Sequence, residues 1–184
     1  MKTKILLSSV AVLLVLGIAG GAYWWFGRSD ESDSTDAIRI KAGATEKMTD
    51  SLGNEWLPDQ GFVGGQTYAV ADAEVKNTKV PELYITERYS MTEFTWPLPK
   101  GKYRVKLMFA EVYTGITGPG GRVFTFNVQG HEFKDFDIWK KAGGANIAYV
   151  ESVDVEVTDG KLDITFTPKV ENPKICAIEI LPRH

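Results

Sequence analysis

Tyr68, Tyr84, Tyr89, Tyr113 and Tyr149, with Trp56, Trp96 and Trp139, fall near turn signals in this sequence. A flat ring stacks on the apolar face of a sugar while its phenol or indole tip bonds the hydroxyls, so such aromatics point to saccharide binding. The same side chains equally fill a core or its rim, and the pattern alone leaves both readings open. Carboxylates offer a second chemistry, because glycoside hydrolysis needs two of them flanking one bond. Glu87 and Glu111 sit beside aromatics in TERY and AEVY, and Asp135 and Asp137 form a closer pair. Alternation along strands produces such pairs by chance. Glu87 beside Arg88, and Glu111 with Arg122 across a loop, read more simply as ion pairs.

Other chemistries find no framework. His131 and His184 are far apart, and neither joins a ligand-spaced cluster of cysteines or carboxylates, so no metal or other cofactor is implied. Gly118-Pro119-Gly120-Gly121 lacks the Lys-Ser/Thr ending of a phosphate loop and reads as a flexible turn between strands. No G-x-S-x-G elbow supports a serine nucleophile. Cys176 is the single cysteine, which rules out an intrachain disulfide; its alternation with Ile178 and Ile180 makes it a small buried apolar residue. A formal net charge of -3 lacks the basic face that nucleic acid requires. The expectation is a protein that is not an enzyme.

The elements that would position these residues are strands. Past residue 36, period-two alternation dominates. Tyr103, Val105, Leu107 and Phe109 share one face, as do Phe124, Phe126 and Val128, and Val153, Val155 and Val157. Asp159-Gly160 then predicts a hairpin turn into Leu162, Ile164 and Phe166. Residues 38–41 and 175–181 supply terminal strands, and 134–145 has room for a helical turn. Short strands with one apolar face each close by packing sheet on sheet, so the fold class is all-β, a two-sheet sandwich of jelly-roll topology.

The N-terminus differs. Lys2 and Lys4 precede an uncharged apolar stretch at 5–26, roughly 33 Å long as a helix and sufficient for a hydrocarbon core. Tyr23, Trp24, Trp25 and Phe26 end it, where rings prefer the headgroup layer. Residues 1–28 therefore read as an uncleaved transmembrane signal-anchor in preference to a cleaved signal peptide. Residues 29–36, acidic and serine-rich, read as a flexible linker, and 37–184 as one exported domain.

Five segments in register tie that domain to a family. LYITERY (83–89), FAEVY (109–113), VFTFNVQGH (123–131), KDFDIWKKAG (134–143) and ENPKICAIEI (171–180) resemble malectin segments in order and spacing. AGA (42–44), NEWLPD (54–59) and FVGG (62–65) fit the broader malectin-like pattern. The resemblance implies a β-sandwich lectin that holds glucose disaccharide units, without hydrolysing them, through loop aromatics and one carboxylate. Carried over motif by motif, it implies Tyr68, Tyr89, Tyr113 and Glu171 as carbohydrate-binding residues. Three features depart from the family pattern: Glu171 replaces an aspartate, Thr114 replaces a second aromatic, and the glycine-rich loop 114–121 is longer. The anchor also lies N-terminal. The implied partners are a glucose-type di- or oligosaccharide and, through the N-terminal helix, a membrane. A protein partner on the same surface is the alternative. Lacking disulfides and a retention signal, the chain reads as a bacterial envelope protein (periplasm or cell surface) more than one of the endoplasmic-reticulum lumen.

Overall fold

The computed structural model of the chain describes residues 37–184. The signal-anchor and linker expected at 1–28 and 29–36 lie outside the described residues. Among the described residues no helix is long and apolar enough to cross a membrane. The chain runs through β1 (Ile38–Lys41), β2 (Met48–Thr49), β3 (Glu55–Trp56), β4 (Phe62–Ala69), β5 (Thr86–Pro97), β6 (Gly101–Phe109), β7 (Val123–Val128) and β8 (His131–Phe136). Helix α1 (Ile138–Ala142) follows, then β9 (Tyr149–Val157), β10 (Lys161–Val170), β11 (Lys174–Ile175) and β12 (Ala177–Arg183). One sheet has the order β1-β12-β6-β9; the other has β11-β5-β10-β7-β8, with β4 pairing β5. Strands β2 and β3 form a separate ribbon.

The alternating apolar faces meet between the two sheets. Val105, Leu107 and Phe109 of β6 and Ile178 and Ile180 of β12 belong to one buried cluster with Phe94 of β5, Phe124, Phe126 and Val128 of β7, and Leu162, Ile164 and Phe166 of β10. Each such side chain, removed from water, contributes about 1.5–3 kcal/mol. Phe109 and Phe136 bridge the layers with ring centroids 5.0 Å apart. A sandwich follows, because neither sheet could hide its apolar face alone.

One expected connection is different. The turn at Asp159-Gly160 is not a hairpin: β9 pairs β6, whereas β10 pairs β5 and β7. The turn carries the chain from one sheet to the other, with Gly160 at φ 89 and its carbonyl accepting from the Leu98 amide at 2.9 Å. Alternation fixes which face of a strand is buried, and both strands bury theirs in the same core whether or not they pair.

Helix α1 occupies the segment where a helical turn was expected. The Asp137 carboxylate accepts from the Lys140 amide at 3.1 Å as N-cap, and Gly143 closes the helix at φ 87. The second Asp137 oxygen accepts from the Gly120 amide at 2.7 Å. The turn 118–121, read from sequence as flexible, is thereby tied to the helix, and Ile116 just before it is buried.

Candidate functional site

Ends of β4, β5, β6, β7, β10 and β11 gather at one end of the sandwich and enclose an open cavity of about 220 Å³. Tyr68, Glu87, Tyr89, Tyr113, Arg122, Glu171 and Asn172 line it. The four residues singled out in sequence, Tyr68, Tyr89, Tyr113 and Glu171, are thus brought to one place. Arg122 and Asn172 line the same cavity without having been named as site residues, and Glu87, weighed in sequence as a hydrolytic carboxylate, lines it too.

Strand register sets the rim. Tyr68 on β4 lies opposite Glu87 on β5, and Gln66 lies opposite Tyr89. Position 65 needs glycine, because a Cβ there would stand 2.4 Å from the Tyr89 carbonyl oxygen and φ is 78. This close approach sets β4 against β5 where both carry cavity residues. The Tyr89 hydroxyl donates to Gln66 Oε1 at 2.7 Å. Tyr68 and Tyr113 meet edge to face, centroids 6.0 Å apart and planes at 88°, and both stay about two-fifths exposed (41% and 43%). Large aromatic rings left this open at a cavity mouth present surface that a ligand could cover. Glu171 joins them from the connection between β10 and β11, at φ 57, a left-handed conformation that costs a non-glycine residue roughly 1–2 kcal/mol. Among the described residues no hydrogen bond or ion pair occupies its carboxylate.

The floor is polar and closed. Arg122 Nε donates to Glu111 Oε2 at 2.7 Å and Nη1 donates to the Asn172 carbonyl, while Nη2 makes no hydrogen bond among the described residues. Glu111 Oε1 accepts from the Tyr113 amide at 3.3 Å. Lys174, fully buried, donates to the Ala110 carbonyl at 2.6 Å and stands against the Glu87 carboxylate, with Glu111 Oε1 3.8 Å away. The ion pair expected between Glu111 and Arg122 is present. The one expected between Glu87 and Arg88 is not, because neighbours on a strand point to opposite faces. Arg88 Nε instead bonds both Asp59 oxygens at 2.9 Å.

Behind the floor, Lys41 Nζ donates to the carbonyls of Ala42 (2.7 Å), Thr86 (2.7 Å) and Cys176 (3.1 Å), and to the Thr86 hydroxyl. Burial pushes its ammonium down to about 8. Cys176, read as a buried small residue, is fully buried, and burial holds its thiol above the ordinary range. Neither buried lysine carried a signal in sequence: each sits in an ordinary strand context, and what encloses it arrives from distant segments.

The other candidates disperse. Asp135 bonds Lys169 Nζ at 2.7 Å on the surface, and Asp137 caps α1, so they make no acid–base pair. Glu111 lies beneath the cavity without lining it, which separates it from Glu87 as a hydrolytic partner. Tyr84 is buried under the loops, its phenol pushed up to about 12 by burial. Burial, then the hydrogen bond to Glu151, pushes the Tyr149 phenol up to about 12 as well. Trp56 is buried with its indole N–H on Asp50 at 2.9 Å, and Trp96 stacks on Phe94. Trp139 sits on α1 outside the cavity lining.

Residues 36–178 match the malectin domain. This chain belongs to the malectin-domain family. A probable leucine-rich repeat receptor-like serine/threonine-protein kinase of Arabidopsis thaliana is 36% identical to this malectin domain over 103 residues, 51% of this chain and 10% of that protein. The chain spans about a tenth of the length of the curated relatives it matches (10–13%). Among solved structures, a β-glucuronidase of Bacteroides uniformis aligns with TM-score 0.73 at 20% identity, over 81% of this chain and 18% of that one. A chain in the crystal structure of the plant peptide RALF23 in complex with FER and LLG2 aligns with TM-score 0.67 at 18% identity, over 79% of this chain and 48% of that one. At these identities the structural likenesses establish the malectin-domain fold alone.

Proposed function

We propose that this malectin domain is a non-catalytic carbohydrate-binding module that recognises a glucose-type di- or oligosaccharide. Tyr89 and Tyr113 stack on or bond the sugar, Tyr68 closes the mouth, and Glu171 accepts hydroxyl hydrogen bonds. The observation that carries the reading is the convergence of three partly open tyrosine rings and an unoccupied carboxylate on one cavity. A volume of about 220 Å³ suits a sugar ring or two partly enclosed, being below the roughly 300–1,000 Å³ that surround drug-sized ligands. An open, polar-floored site of this kind binds weakly, with Kd on the order of micromolar to millimolar. The domain works outside the cytoplasm, held to the membrane by residues 1–28.

Glycan-array screening followed by calorimetric titration of the full chain tests this. Tyr89→Ala and Tyr113→Ala each abolish the signal while the melting transition is kept. Unchanged binding in both variants removes the pocket assignment. No turnover of aryl glycosides or oligosaccharides is expected, since Glu87 and Glu111 are committed to Lys174 and Arg122.

The likeness to a chain from a peptide-receptor complex favours a second reading, a membrane-tethered protein-interaction module using the same loops. Capture of one defined partner, undiminished by competing sugars, selects that reading over the first.

A further inference from the structure

Loop 114–121 joins two cavity residues, Tyr113 and Arg122, and its glycines differ in what surrounds them. Gly118 and Gly120 have nothing within 4 Å of where a Cβ would stand. At Gly115 a Cβ would stand 2.4 Å from Tyr113 Cε1, 2.6 Å from Cζ and 2.8 Å from the hydroxyl oxygen. Real Cβ contacts do not come so close. The φ of Gly115 lies outside the left-handed region that favours glycine. Glycine is therefore required there by the Tyr113 ring and not by the turn.

The backing under that ring is held firmly. The Ile116 amide donates to the Tyr113 carbonyl at 3.1 Å, and the Ile116 side chain is buried. The Gly120 amide is bound to Asp137, and the Tyr113 amide to Glu111, itself paired with Arg122. Position 115 cannot retreat without breaking these contacts. The Tyr113 ring, 43% exposed, is free to swing outward. A side chain at 115 would thus move the ring and leave the loop where it is.

We infer that Gly115 is a positioning residue of the site. Its bare backbone seats the Tyr113 ring at right angles to Tyr68, and the residue at 115 decides whether the cavity keeps that stacking surface. The inference rests on the saccharide reading for its effect on ligand, but not for the placement of the ring. It also gives the glycine-rich loop a role: the absence of a side chain at one position is a feature of the binding wall.

The test uses the full chain in detergent, with Gly115→Ala, Gly118→Ala, Tyr113→Ala and the Gly115→Ala/Tyr113→Ala double variant. Nuclear Overhauser contacts are recorded between the Tyr113 ring and residue 115 and between the Tyr113 and Tyr68 rings. In the wild type both are present, and the Gly115 α-protons carry a ring-current shift that Tyr113→Ala removes. Gly115→Ala loses the Tyr113–Tyr68 contact while its melting temperature changes by no more than about 2 °C, as for a surface substitution. Gly118→Ala changes neither. With maltose as probe, Gly115→Ala weakens binding about tenfold, the loss of one aromatic contact. In the Tyr113→Ala background, where the ring is gone, the same change leaves the melting temperature and the Tyr68 ring signals as they are, whereas a general structural role would add a loss of stability. Persistence of the Tyr113–Tyr68 contact in Gly115→Ala overturns the inference, as does an equal loss in Gly118→Ala. A wild type with both ring contacts intact and no affinity for maltose or the glycan array counts against the saccharide reading and leaves the placement of Tyr113 decided by the spectra.

Discussion

The middle of the sandwich and the floor of its cavity are both buried, but they are held by opposite means. In the middle, Phe94, Phe124, Phe126, Leu107, Ile164 and Ile178 fill the space between the sheets with apolar volume. At the cavity end, Lys41, Glu87, Glu111, Arg122 and Lys174 are all buried, and their bonds run from one sheet to the other. Lys41 of the four-stranded sheet reaches Thr86 of the six-stranded one, and Lys174 of the six-stranded sheet reaches Ala110 just beyond β6. Apolar side chains are non-directional and close up to native density, which leaves few voids. Directed hydrogen bonds and ion pairs hold backbones at set separations, so a hollow persists above them. The difference teaches that an open site in a β-sandwich needs a floor that cannot collapse.

Lys174→Met breaks the comparison most severely. It strands Glu87 beside an apolar chain and takes one cation from Glu111, a loss of about 3–5 kcal/mol for a broken buried pair. Urea unfolding measures it, and a cost below about 1 kcal/mol would refute the polar floor as a structural element. A next-largest effect is in pH. The Lys41 ammonium sits at about 8 in the fold against an ordinary 10.5. Below pH 8 both folded and unfolded chains hold the proton, and the burial penalty is fully present. Between 8 and 10.5 the unfolded chain alone keeps it, so this group makes stability rise with pH, by about 3 kcal/mol in all. Lys41→Met removes that rise, and parallel pH–stability curves for wild type and variant contradict the assignment.

The apolar middle responds more gently. Ile164→Val deletes one buried methyl and costs about 0.5–1.5 kcal/mol with ligand binding unchanged. Weakened binding in that variant would show that the two regions are not separable. The smallest effect has the opposite sign. Glu171→Asn relieves the left-handed backbone at φ 57, a conformation asparagine tolerates, and raises stability by roughly 0.5–1 kcal/mol. The same change removes the carboxylate and lowers affinity, so a variant that gains stability and keeps full affinity takes Glu171 out of the site.

Much of the fold is legible in sequence because alternation reports burial directly. Every residue named on the faces of β6, β7 and β10 is buried, as are Val155 and Val157 of β9. Strand β5 escapes this reading although it is the longest. Its buried positions are Glu87, Met91 and Phe94, spaced four and three apart, because Ser90 turns left-handed at φ 60 and the register with β4 shifts between Val63 and Gly64. A bulge breaks the period on which the signal depends. The cavity rim was legible through motif resemblance, and of its floor only the Glu111–Arg122 pair was. Asn172 is unremarkable in sequence, and burial of a lysine contradicts every compositional expectation.

By itself, then, the chain's order of residues determined the strands that alternate, their inward faces, the room for a helical turn at 134–145 and the family to which the domain belongs. These are properties of short segments, and each segment carries them wherever it lies. The tertiary structure alone decided that β9 and β10 enter different sheets, that Glu87 faces Lys174 and not Arg88, and that the Tyr113 ring rests on the bare backbone of Gly115. Partners separated by dozens of positions are chosen by the packing of the whole sandwich, in which every strand competes for the same core.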